Sequence, residues 1–212
     1  MTEGQYDRIM NDGTSTSVIA KEWLSYDMLR GASEGATWPV PDDHRVDSDS
    51  FFGKLRAKIG NDFIFDLPTE AQWEAAARWK GTTGNGTNDY YGSKVWNNGA
   101  KFTSKNPYGI NDVGWYKATA GYVPKEVGLK AASTIGTYDM HGNVWEFCLD
   151  RFADDITSYT HDPVGPTSGT TRVMRGGSNN RDADQCRMAY RYYGINPALA
   201  FELYGCRVVL LP

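Results

Sequence analysis

Glycine set beside large rings is the feature that most restricts this chain, and it is concentrated in two C-terminal blocks. The first is Gly136-Thr137-Tyr138-Asp139-Met140-His141-Gly142-Asn143-Val144-Trp145-Glu146-Phe147. The second runs Arg172-Val173-Met174-Arg175-Gly176-Gly177-Ser178, then Cys186-Arg187-Met188-Ala189-Tyr190-Arg191, Pro197 and Gly205-Cys206-Arg207-Val208-Val209. Glycine admits turns that other residues resist, and aromatic rings supply the area that holds such turns in place. With 23 Gly against 7 Trp, 13 Tyr and 8 Phe, and few long periodic runs, the sequence reads as loop-rich structure pinned by large side chains. Its 212 residues fit a single domain, and a hydrophobic content of 40% is enough for a core.

Three helices are legible. Thr2-x-x-Gln5 forms a capping box ahead of Tyr6, Ile9 and Met10. Asp49-Ser50 precedes Phe51 to Ile59, where Phe52, Leu55 and Ile59 share a face and Gly60 offers a stop. In Leu67-Pro68-Thr69-Glu70-Ala71-Gln72-Trp73-Glu74-Ala75-Ala76-Ala77-Arg78-Trp79-Lys80-Gly81, Thr69 caps, Gln72 answers it, and cations close the last turn before Gly81. Residues 82–112 read as a long ordered loop, because Tyr90, Tyr91, Trp96 and Phe102 interrupt its polar run. Short strands are expected at Phe63 to Phe65, Val113 to Tyr116, Val144 to Phe147, Arg172 to Arg175 and Cys206 to Leu210. No repeat and no βαβ alternation appears, so the fold class is an irregular α+β domain, loop-rich, with about three helices and short strands, spanning 1–212.

Several function classes are disfavoured. Net charge is −4 with Lys and Arg scattered, so no basic stripe invites nucleic acid. No run reaches the roughly 18 apolar residues of a membrane span, and Met1-Thr2-Glu3-Gly4-Gln5 lacks the features of a secretory signal. Cys148, Cys186 and Cys206 are an odd number without metal-type pairing; buried free thiols, or one disulfide and a spare thiol, are both open.

The two glycine-aromatic blocks and the Leu67 to Glu74 block together resemble the formylglycine-generating-enzyme-like (sulfatase-modifying factor) family. The resemblance runs from Thr2 to Leu210 and implies a C-type-lectin type of fold. In such relatives a β-hairpin precedes the Thr2 to Tyr6 block, so the resemblance implies an N-terminal trimming here. Catalytic members place two cysteines with four residues between them after Gly-Gly-Ser, holding copper(I) for oxygen-dependent attack on a substrate cysteine. Soft thiolates suit copper(I). Here only Cys186 is present; counting from Ser178, the first cysteine's place is taken by Arg181, a hard cation. Cys206 stands where relatives carry Phe and reads as a core substitution. The expectation is therefore no copper and no oxidase. Nor do His44, His141 and His161 form the iron-binding pattern of another branch; each reads as a surface or loop residue.

Asp139-x-x-Gly142-x-Val144-x-Glu146 offers two carboxylates around a turn, and calcium accepts mixed carboxylate and carbonyl oxygens. The resemblance implies calcium held by the Asp139 and Glu146 side chains and the Gly142 and Val144 carbonyls. The residues themselves leave a second arrangement open, with Asp139 capping a turn and Glu146 pairing with Arg175 or Arg207.

The remaining constellation lies within 172–209. Asn179, Asn180, Arg181, Asp182, Asp184, Tyr190, Tyr192, Tyr193, Asn196 and Phe201 stand between framework-type residues. Flat amphipathic rings with adaptable hydrogen bonds compose a recognition surface, so the expected partner is a macromolecule, protein rather than sugar. The Glu-Pro-Asn and Gln-Pro-Asp tripeptides of calcium-dependent sugar lectins are absent. The segment is similar to that of the variable proteins of diversity-generating retroelements, which mutate adenines in a C-terminal stretch. Most of its residue types are reachable from an Asn codon by changing adenines; Gln185, Met188 and Glu202 are not and would be framework.

Overall fold

The architecture follows from one strand whose two faces feed two cores. A computed structural model describes residues 1–33, 36, 38, 44–60, 62–78, 109–133, 135–155 and 163–211. In it Trp145–Arg151 (β4) is buried from Trp145 through Asp150. Side chains alternate across a strand, so Trp145, Phe147 and Leu149 enter one cluster while Cys148 enters another. Its neighbour Arg172–Arg175 (β5) divides in the same way, Met174 to the first cluster and Val173 to the second. The glycine-aromatic blocks are thus the two central strands of the fold.

These strands sit in a four-stranded sheet. β5 runs antiparallel to β4 and to Tyr192–Ile195 (β6), and Tyr204–Cys206 (β7) pairs parallel with the other edge of β4. Among the described residues, two minor sheets hold the remaining strands. Ile64–Asp66 (β1) pairs antiparallel with Val209–Leu211 (β8), and Gly114–Trp115 (β2) pairs parallel with His141–Gly142 (β3).

The three helices read from the sequence are present as Glu3–Met10 (α1), Phe51–Ile59 (α3) and Glu70–Arg78 (α4). Thr2 and Gln5 exchange both capping-box bonds at α1, and Thr69 and Gln72 do the same at α4. In α3, Phe51 is buried beside Phe52, whereas Ile59 is exposed, because the helix stops before that last turn reaches the core. Among the described residues, three further helices of four or five residues, Tyr26–Arg30 (α2), Ile110–Val113 (α5) and Lys117–Ala120 (α6), lack the length to show a period. The helix α5 takes Val113 out of the expected strand, and Cys206 to Leu210 is divided between β7 and β8. Of the loop read over 82–112, all but its last four residues lies outside the described residues, as do Trp79, Lys80, Gly81 and His161.

The first core gathers Leu24, Tyr26, Leu29, Phe51, Phe52, Leu67 and Tyr204 around β4. Arg30 is buried within it, giving a two-pronged pair to buried Asp66 at 2.8 and 3.0 Å and a further bond to the Tyr26 hydroxyl. The second core packs Trp73 and Ala77 of α4 against Val113, Met140, Cys148 and Cys186.

Candidate functional site

The Gly136 to Phe147 block makes a turn whose shape depends on glycine. At Gly142, φ is +84° and a Cβ would lie 2.0 Å from the Trp115 carbonyl oxygen, so only glycine fits. Asn143 follows at φ +66° and acts as a strap: its side chain accepts from Lys125 N–H and donates to Lys125 C=O. This turn brings Asp139, Gly142, Val144 and Glu146 to the wall of one cavity of about 340 Å3. The four residues that the sequence grouped are therefore neighbours in space.

Their chemistry is uneven. Asp139 is buried at φ +57°; Oδ2 accepts from Gly128 N–H at 2.8 Å, while Oδ1 has no hydrogen-bond partner. Burial pushes this carboxyl above the usual carboxylate range, against the Gly128 N–H and Arg207. Both oxygens of Glu146 have donors. Arg207 grips both its oxygens at 2.9 and 3.0 Å, and the Trp73 indole donates to Oε2 at 2.6 Å. Asp139 Oδ1 is thus a buried oxygen without a donor, whereas both oxygens of Glu146 are held by Arg207. Among the described residues, no group of three or more His, Cys, Asp or Glu gathers as a metal site.

The second glycine block positions the place that catalytic relatives reserve for copper. Gly177 has φ +81°, and a Cβ there would lie 2.4 Å from Cys186 Sγ. Cys186 is consequently wedged under the loop, fully buried, its thiol pushed up to about 12 by desolvation. Cys206 lies in the first core rather than beside Cys186, with its thiol also pushed up to about 12 by burial. All three cysteines are free and buried. His141, expected at the surface, is buried under the same loop with Nδ1 at 2.9 Å from the Cys186 carbonyl oxygen. His44 is half-buried, 2.9 Å from Asp66.

The C-terminal segment divides into frame and face. Asn179 is not at the surface: it is buried, and both its backbone and side-chain N–H donate to Asn143 C=O at 2.8 Å. Tyr192 is likewise corrected from surface to core, being only 7% exposed with its ring 4.6 Å from that of Trp145. The reason is register, since β6 turns Tyr192 inward against β5, and an irregularity in the pairing between Arg172 and Met174 lets Ile195 turn inward as well. Tyr190 and Asn180 are half-buried, Tyr190 lying against Trp145 and accepting from Gln185. Asp182, Asp184 and Asn196 are exposed.

Tyr193 and Phe201 stand out at 63% and 40% exposure. Tyr193 stacks on Tyr192 at 4.4 Å, and Phe201 contacts Tyr204 at 5.5 Å. Half-buried Arg181 joins them, its guanidinium 5.5 Å from the Tyr192 ring centroid and Nη2 donating to the Tyr192 hydroxyl.

Sequence reasoning missed one member of this face. Trp23, 53% exposed and held at φ +60°, lies 6.3 Å from Phe201 because its N–H donates to Phe201 C=O and Leu24 bridges to Phe201. No local pattern marks it. A second group, likewise unforeseen, lines a cavity of about 300 Å3 beside α4. There Asp150 accepts Glu70 N–H at 2.7 Å, and Arg191 grips both oxygens of Glu70. Burial, aided by Glu70, pushes the Asp150 carboxyl up to about 7.

Among relatives, the chain is 31% identical over 147 residues to the serine/threonine-protein kinase pkn1 of Chlamydia caviae, covering 66% of this chain and 20% of that protein. It is 34% identical over 122 residues to the formylglycine-generating enzyme of Thermomonospora curvata, covering 53% and 37%. The chain thus spans well under half the length of either relative. Treponema denticola variable protein 1 shares the fold with a TM-score of 0.69 at 23% identity, over 98% of this chain and 81% of that one. Among the described residues no helix is long and apolar enough to cross a membrane. The family described as the sulfatase-modifying factor enzyme 1-like domain matches residues 1–211, so this chain belongs to that family and carries its C-type-lectin type of fold.

Proposed function

We propose that this domain is a non-catalytic recognition module that grips a macromolecular partner, a protein, through the face formed by Arg181, Tyr193 and Phe201 with Trp23. The observation that carries this reading is the substitution at the relatives' copper position. Arg181 replaces one thiol and the remaining Cys186 is buried beneath Gly177, while rigid aromatic rings are displayed beside it. Rings held by core contacts lose little entropy on binding, which is why Tyr and Trp dominate such faces. The Asp182, Asp184 and Asn196 side chains supply an exposed polar rim.

The test is panning of a displayed protein library on the purified domain. Binders should lose the domain when Tyr193 or Phe201 is changed to alanine; binders indifferent to both changes refute the face. The relatives named formylglycine-generating enzyme favour a second reading, a copper-dependent oxidase or another enzyme of the family. Incubation with copper, oxygen and a Cys-containing peptide decides between them, and aldehyde formation would establish the enzyme.

Two refinements go with the main reading. The name of Treponema denticola variable protein 1 accords with diversification of the 172–209 segment by a retroelement. A near-repeat of its DNA downstream, differing at adenines and followed by a reverse transcriptase, would support that; no such repeat would remove it. Calcium would be held by Asp139 and Glu146 with the Gly142 and Val144 carbonyls, the buried free oxygen of Asp139 being the supporting observation. Such an ion would brace the turn, sharing Glu146 with Arg207.

A further inference from the structure

The direction of the hydrogen bonds along the exposed face leaves two donors pointing to one kind of ligand. Arg181 Nη2 donates to the Tyr192 hydroxyl at 3.3 Å, and that hydroxyl passes its own proton to the Tyr193 oxygen at 3.3 Å. The Tyr193 proton is therefore left for an outside acceptor, on a residue that is 63% exposed. Arg181 has five N–H groups, of which only this one is engaged among the described residues, and its Nε is enclosed with no acceptor there. Among the described residues no carboxylate pairs with it. Asp182, next in sequence, pairs instead with Lys117 at 3.7 Å. The Tyr192 ring and hydroxyl answer this guanidinium only in part, and a partly desolvated cation without a counter-charge is costly.

We propose that Arg181 and Tyr193 form a carboxylate-binding subsite that takes an Asp or Glu side chain of the protein partner. The proposal rests on the reading of this face as a binding surface. A guanidinium and a phenol proton can each donate to one oxygen of a carboxylate, and the Tyr192 hydroxyl, 3.3 Å from both groups, holds the two donors close together. One positive charge matches one negative charge. A phosphate dianion fits less well, because the exposed Asp182 and Asp184 stand at the rim with Lys117 the cation that answers Asp182. The stack of Tyr193 on Tyr192, itself on Trp145, fixes the acceptor position before any ligand arrives.

Acetate is the probe. The 15N-labelled domain is titrated with sodium acetate and, separately, with inorganic phosphate at constant ionic strength, following the arginine Nε–H resonances. Arg181→Gln assigns the Arg181 signal by removing it. The expected result is a saturable shift of that signal with acetate, with Arg8 on α1 showing only linear drift. Tyr193→Phe keeps the ring and the fold and should weaken acetate binding by about threefold or more, the effect of one lost hydrogen bond. Linear drift alone, saturation by phosphate without acetate, or an unchanged Tyr193→Phe titration would each overturn the subsite. Because no macromolecule takes part, such a failure is separable from failure of the face in the panning experiment.

Discussion

Tyr192 and Tyr193 are adjacent in sequence and touch ring to ring, yet their truncation should have opposite consequences. Tyr192 is 7% exposed, packed on Trp145 at 4.6 Å and part of the first core. Removing a buried aromatic ring costs about 3–5 kcal/mol through lost transfer energy and the cavity left behind. Tyr192→Ala should fall near the lower end, about 3 kcal/mol, since its hydroxyl edge reaches toward half-buried Arg181 and exposed Tyr193. Tyr193 is 63% exposed and stacked on one side only, so Tyr193→Ala should cost no more than about 1 kcal/mol. For a domain of this size, about 2–4 °C of Tm accompanies each kcal/mol. The expected losses are then about 6–12 °C for Tyr192→Ala and at most about 4 °C for Tyr193→Ala. Thermal melts followed by tryptophan fluorescence measure these shifts, and urea melts, with the slope checked to be common, measure the free energies. The partner-binding loss should follow Tyr193→Ala although that variant stays folded. Equal destabilisation by the two variants would refute the division of β6 into an inward and an outward residue.

Three other outcomes follow from the same geometry. Asp150 has a folded pKa of about 7 against an unfolded value of about 3.9, so its proton favours the folded state: the contribution is full below about pH 4 and is lost as pH rises through 7. Asp150→Asn keeps an acceptor for Glu70 N–H and should flatten this decline. The variant should gain up to about 3 kcal/mol on the wild type between pH 5 and pH 8 in chemical melts; a constant difference would refute the assignment. Thiol labelling of the native protein should detect none of the three cysteines, all of which are buried with raised pKa, and should detect all of them in denaturant. Labelling of Cys186 in the native state would reopen the catalytic reading. Calcium should raise the Tm of the wild type and leave Asp139→Ala unchanged; equal responses in a thermal melt would remove the ion from this turn.

What the sequence determined was local. Capping boxes at α1 and α4, and the glycines at 142 and 177, act through neighbours a few residues away or through backbone angles that only glycine adopts freely. These blocks carried the family resemblance and with it the fold. The gathering of Asp139 with Glu146 was also legible, because a single turn joins them. Tertiary structure decided the rest. Period-2 alternation makes burial depend on which face a strand presents, and a short strand such as β6 carries too few residues to announce its register. So Tyr192 turned inward, and Asn179 became a strap for Asn143 instead of a contact. Trp23 joined Phe201 across nearly the whole chain through one backbone hydrogen bond. Glu146 chose Arg207, and Glu70 took Arg191, for the same reason: ion pairs inside a fold are selected by which charges the packing brings together without water, a property of the assembled chain.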